Sequence, residues 1–136
     1  MKNRNIKLVK IIIMLLFICG LSAQINYSED ISPIIYNNCT ECHRQAEIGA
    51  FLPLTTFQEV YDSRDWISSS IATEEDYRHG EPIMPPWPPD REYSSLVGER
   101  ALTEDEIHLF LDWVEEGASQ GDPSLEATIP DFPEGS

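Results

Sequence analysis

Cys39-Thr40-Glu41-Cys42-His43 has the form C-x-x-C-H, the pattern for covalent haem attachment. Two thiols add across the vinyl groups of the porphyrin, and the imidazole of the next residue then lies beneath the iron as its proximal ligand. Three side chains thus fix the position and tilt of one cofactor, haem c. Rival chemistries account for less of the stretch. A thioredoxin-like dithiol wants a βαβ surrounding, whereas the residues before Cys39 read as helix. A structural zinc site needs four ligands, and after Cys39, Cys42 and His43 only His79 and His108 are at hand, neither at finger-like spacing. A disulfide between Cys39 and Cys42 would close a very small loop, add little stability and leave His43 unexplained.

Upstream of the motif, Asp30 to Asn38 reads as a helix with Pro33 near its start and Ile31, Ile34 and Ile35 on one side. Further back, Lys2, Arg4, Lys7 and Lys10 precede an apolar run from Ile11 to Leu21, followed by Ser22 and Ala23, which is the pattern of an export signal cleaved after Ala23. That run is shorter than the roughly 20 residues a membrane-crossing helix needs. Cys19 belongs to it, and Ile18 before Cys19 does not fit a lipoprotein cleavage site. Removal of residues 1–23 leaves 113 residues, one small domain over 24–122 followed by a Pro-rich tail or linker over 123–136. A core of that size gains from a cofactor that adds apolar contact.

Downstream, the chain turns from Gly49 to Leu54, and Thr55 or Thr56, with Gln58 or Glu59, can cap a helix carrying Phe57, Val60, Tyr61, Ile67 and Ile71 at helical spacing. From His79 to Arg91 five prolines remove backbone donors and fix φ, so a stiff extended loop is expected. Thr103 and Glu106 then form a capping box, Leu102 and Ile107 are spaced as a hydrophobic staple, and Ile107, Phe110, Leu111 and Val114 form an apolar stripe that Gly117 is placed to end. Beyond Asp122 the sequence is too rich in proline and small polar residues to pack on its own. The expected class is all-α: a small helical domain around one covalently bound haem, with long Pro-rich loops.

For the second axial ligand, Met84 is the one methionine left after the signal, and it stands in the proline loop, where a thioether is presented to iron with little further loss of entropy. A methionine is otherwise a good filler of irregular core gaps. His79 on the same loop is the alternative sixth ligand, and a vacant sixth position would suit gas binding or peroxide chemistry. His108 shares a helix side with Glu104, Asp112 and Glu115 and reads as a solvated histidine. Trp66, Trp87 and Trp113 are candidates for the haem edge or for general core. Arg44 and Arg91 are candidates for haem propionates or for ordinary surface ion pairs.

Charge bears on partners. Beyond the signal stand five basic residues, none of them lysine, against all 24 acidic ones, a net charge of −19 with histidine neutral. Such a surface repels nucleic acid and anionic membranes, keeps an exported protein soluble, and speeds encounter with a basic patch on a protein redox partner. Membrane contact is expected only if the signal stays uncleaved.

Asp30-Ile31-Ser32-Pro33-Ile34-Ile35 with Asn38-Cys39 through Cys42-His43-Arg44 resembles a bacterial family of cytochrome c domains found beside copper type II, ascorbate-dependent monooxygenase-like regions. Met84-Pro85-Pro86-Trp87, Val97-Gly98-Glu99-Arg100, the Leu102 to Trp113 segment, Gly117-Ala118, Gly121-Asp122-Pro123 and Phe132-Pro133 extend the likeness over nearly the whole mature chain. The resemblance implies a class I-like cytochrome c domain with Met84 as distal ligand. Relatives often continue into another domain, and the catalytic region they carry has no counterpart here, so the resemblance implies electron transfer in the periplasm or outside the cell rather than oxygenation. Tyr77 to Pro82 departs from the family pattern and puts His79 close to Met84 in the sequence. Two further classes stay in view: a haem peroxidase or gas-binding module with a vacant sixth site, and an accessory domain that docks a larger oxidoreductase.

Overall fold

The structure, a computed structural model, describes residues 24–71, 84 and 101–132. Residues 1–23, where an export signal is expected, and His79, Trp87, Arg91 and the rest of the expected Pro-rich loop apart from Met84 lie outside the described residues. Within them the chain is helical and no strand is present. A π-wound turn, Tyr27–Ile31, runs into helix α1, Ser32–Asn38; α2 is Phe57–Ile71, α3 is Glu104–Glu115, and a short 3-10 turn occupies Pro123–Leu125. Among the described residues no helix is long and apolar enough to cross a membrane.

The first helical segment starts earlier than the sequence pattern suggests, because Asn26 caps it. Its side-chain oxygen accepts from the Glu29 amide at 3.0 Å, satisfying a donor that the first turn leaves orphaned. Pro33 sits in the first turn of α1, where its missing amide is no loss. Ile31, Ile34 and Ile35 are buried together, as their spacing requires.

Two neighbouring threonines share the start of α2. The Thr56 hydroxyl accepts from the Glu59 amide at 3.3 Å, while the Glu59 carboxylate accepts from the Thr55 amide and hydroxyl at 2.8 and 2.9 Å. Burial works against the Glu59 charge, but the hydrogen bonds from Thr55 and Thr56 outweigh it and hold the carboxyl below its ordinary range. A carboxyl depressed in the folded state contributes stability that is present above its unfolded value and lost as pH falls through its folded one. Melting Glu59→Gln beside the wild type is therefore expected to show a lower midpoint for the variant at neutral pH, and a gap that closes in acid below the usual carboxylate range.

α3 opens with the expected reciprocal capping box between Thr103 and Glu106, and Leu102 and Ile107 of the staple are both buried. Its end is a Schellman motif: the Gly117 amide donates to the Val114 carbonyl at 3.2 Å and the Ala118 amide to the Trp113 carbonyl at 2.8 Å, with Gly117 at φ 100°. The buried face differs from the expected stripe. Ile107, Phe110 and Trp113 are buried, whereas Leu111 and Val114 are only partly so. Trp113 takes the inner position because its ring joins those of Tyr27 and Phe110, at 6.0 and 5.4 Å between centroids, and its indole N–H finds the Ser119 carbonyl at 2.9 Å.

The first helical turn is tied to the segment that follows α3. The Tyr27 and Ser28 amides donate to the Ser119 and Gln120 carbonyls, each at 2.9 Å. Most side chains after Asp122 are exposed or partly so, yet this segment does not hang free. The Ala127 amide donates to the Ser32 hydroxyl at 2.9 Å, the Tyr36 hydroxyl donates to the Glu126 carboxylate, and Phe132 lies under the Arg44 guanidinium. The expected tail is a strap laid along α1 and the turn that follows it.

Candidate functional site

α1 leads directly into the motif. The amides of Cys42 and His43 both donate to the Cys39 carbonyl, at 3.2 and 2.9 Å, so residues 39–43 form a tight turn that continues the helical sense. The two sulfurs are not bonded to each other; Cys39 packs partly buried against the core and Cys42 is exposed. Burial, with Cys42 and Glu106 adding to it, pushes the Cys39 thiol up to about 12. That is opposite to the lowered thiol a dithiol oxidoreductase needs. Among the described residues no group of three or more His, Cys, Asp or Glu side chains is arranged to hold a metal ion, so the zinc alternative gains no support there.

His43 is held by the loop that follows. Its Nδ1 lies 2.9 Å from the Leu52 carbonyl oxygen, and a carbonyl can only accept, so Nδ1 carries the proton. The lone pair is then on Nε2, which is how a histidine is prepared for a metal. Gly49 makes this approach feasible. A Cβ on Gly49 would stand 2.6 Å from the Cys42 carbonyl oxygen and 2.8 Å from His43 Nδ1, closer than such atoms can be. Gly49→Ala is accordingly expected to lower the denaturation midpoint by an amount equivalent to about 1–3 kcal/mol, and to perturb the Nδ1 proton resonance of His43.

Met84 reaches the same place from the other long stretch of chain. Its amide donates to the Ser70 carbonyl at 2.9 Å, satisfying one of the acceptors that the last turn of α2 leaves open. Its side chain packs partly buried against the core. Cys39, Cys42, His43 and Met84 all line one cavity of about 260 Å³, whose remaining walls are almost wholly apolar and include Leu54, Ile67 and Leu102. Three large apolar side chains at this cavity face water: Ile48 is 86 % exposed, Phe51 77 % and Trp66 71 %. Tyr27, Tyr36, Phe110 and Trp113 are buried by contrast, so among the described residues these three mark exposed apolar surface.

This donor set fits haem c. Thioethers at Cys39 and Cys42, with that of Met84 and a neutral imidazole, would bring no net charge into an apolar cavity, and a flat apolar macrocycle would cover the exposed rim. Of the remaining candidates, His108 is exposed on α3 as expected, and Trp113 belongs to the core away from the cavity lining. Trp66 does line it. Arg44 forms an ion pair with Glu47 at 2.9 Å. The roles of Gly49 and of the Leu52 carbonyl were not legible in the sequence, since a backbone acceptor has no residue signature. No protein-family model, curated protein or solved structure matches this chain.

Proposed function

We propose that this chain is an exported, single-haem c-type cytochrome that carries electrons, with haem c bonded to Cys39 and Cys42 and its iron ligated by His43 and Met84. The observation that carries the reading is the convergence of both thiols, a histidine with its Nδ1 already engaged, and the chain's one methionine beyond the signal on a single apolar cavity. Haem bound there supplies a one-electron ferrous/ferric couple. Cys39 and Cys42 hold its position, the Leu52 carbonyl orients His43, and Leu54, Ile67 and Leu102 exclude water from the centre. The three helices are then those of a class I-like domain, in keeping with the family resemblance. The acidic surface suits a protein redox partner with a basic docking patch, met in the periplasm or outside the cell.

The test is expression with a c-type maturation system. Haem that survives denaturing electrophoresis is expected, and a colourless protein with two free thiols would end the proposal. Carbon monoxide separates electron transfer from gas or peroxide chemistry. The reduced wild type is expected to resist it and Met84→Ala to bind it, with a changed spectrum and a lower potential. Ready binding by the wild type would favour the vacant-site alternative, and an unaltered spectrum in Met84→Ala would transfer the sixth position to His79.

A further inference from the structure

Resting on the reading of residues 39–43 as the haem-attachment turn, we propose that Arg44 is a positioning residue for that turn and that Phe132 of the carboxy-terminal strap holds it in place. Six backbone carbonyls run from Cys39 to Arg44, and among the described residues four of them accept from local amides. Cys39 accepts from Cys42 and His43, Cys42 from Gly49 at 2.8 Å, His43 from Leu54 at 2.9 Å and Arg44 from Glu47 at 3.3 Å. The other two belong to Thr40 and Glu41, the residues between the cysteines. Both accept from Nη1 of Arg44, Thr40 at 3.3 Å.

Thr40 is fully buried, so its carbonyl has much to lose if the guanidinium departs. One side chain thus ties both carbonyls that lie between the cysteines, inside the turn whose geometry sets the spacing of both sulfurs and the tilt of His43.

The guanidinium is itself held from two directions. Its Nη2 donates to the Glu47 carboxylate at 2.9 Å, and its central carbon lies 4.3 Å from the centroid of the Phe132 ring. A planar guanidinium can donate along its edge and stack on its face at once, which an ammonium cannot. Phe132 is delivered by the strap, whose earlier residues are fastened to α1 through Glu126 on Tyr36 and Ala127 on Ser32. Strap, arginine and attachment turn therefore form one line of contact, and loosening the strap loosens the turn.

The experiment compares the full chain with Phe132→Leu, Arg44→Gln and Arg44→Lys, reading amide hydrogen exchange by residue. Phe132→Leu is expected to speed exchange at Cys42 and His43 by about threefold to tenfold, Arg44→Gln by more, and Arg44→Lys to recover only part of that loss. Exchange at Phe110 and Trp113 in α3 should stay as in the wild type. In the haem-loaded protein the midpoint potential should shift in Phe132→Leu, although no charge has been removed. Unchanged exchange at Cys42 and His43, or a rise there no greater than at Phe110 and Trp113, overturns the clamp; an unmoved potential overturns its effect on the site. A wild type that proves colourless sinks the haem reading alone, because the exchange comparison still decides whether the strap holds the turn.

Discussion

A chain in which Cys39 and Cys42 are both replaced by Ala is expected to carry no haem through denaturing electrophoresis, a complete loss against wild type matured beside it. The argument runs through what remains. His43 keeps its bond to the Leu52 carbonyl and Met84 keeps its bond to the Ser70 carbonyl, because neither depends on a sulfur of the turn. The cavity stays apolar. Under mild conditions the double variant should therefore still take up haem and show a ligated spectrum, and only unfolding should release it. Pigment that stays with the unfolded double variant would show that some other residue bonds the porphyrin.

The single variants are expected to differ in a second measurement. Cys42 is exposed, so Cys42→Ala should leave the denaturation midpoint of the haem-free chain where it was. Cys39 packs against the core, and its truncation removes contacts that the surrounding side chains only partly refill. Cys39→Ala should lower that midpoint while losing one thioether, as Cys42→Ala does. A Cys39→Ala midpoint that stays at the wild-type value would mean that Cys39 contributes to attachment alone.

How far residues announce their structure depends on how local the cause is. Thr103 with Glu106, and Gly117 with Ala118, act within one or two turns of chain, so the start and end of α3 could be read directly. The C-x-x-C-H turn is equally local, and the cavity gathers the residues it named together with Met84. Three features escaped because their causes are distant or lack a side-chain signature. The acceptor for His43 is a backbone carbonyl nine residues away. The strap is held by Glu126, Ala127 and Phe132 on residues of α1 and on Arg44 beside the C-x-x-C-H turn, a pairing that no periodicity encodes. The inner face of α3 lies one position away from the apolar stripe, since Val114 and Trp113 compete for it and the winner is set by Tyr27 and Ser119 rather than by α3 itself.

That competition makes Trp113 the position where a core substitution should do most damage. Its side chain is wholly buried, it sits among Tyr27 and Phe110, and its carbonyl takes the Ala118 amide that closes the Schellman turn. The indole N–H and the Tyr27 amide both donate to the Ser119 carbonyl, each at 2.9 Å, so one acceptor joins α3 to the start of the first helical turn. Trp113→Ala empties the largest of the fully buried sites and is expected to cost about 3–5 kcal/mol. That is a large share of the total stability of any small domain. Trp113→Phe keeps most of the ring contact but leaves Ser119 with Tyr27 alone, and is expected to cost about 1 kcal/mol. Denaturant titration of the haem-free chain measures both. A Phe variant as unstable as the Ala variant would mean that the hydrogen bond to Ser119, rather than the packing of the indole, is what holds the two ends of the domain together.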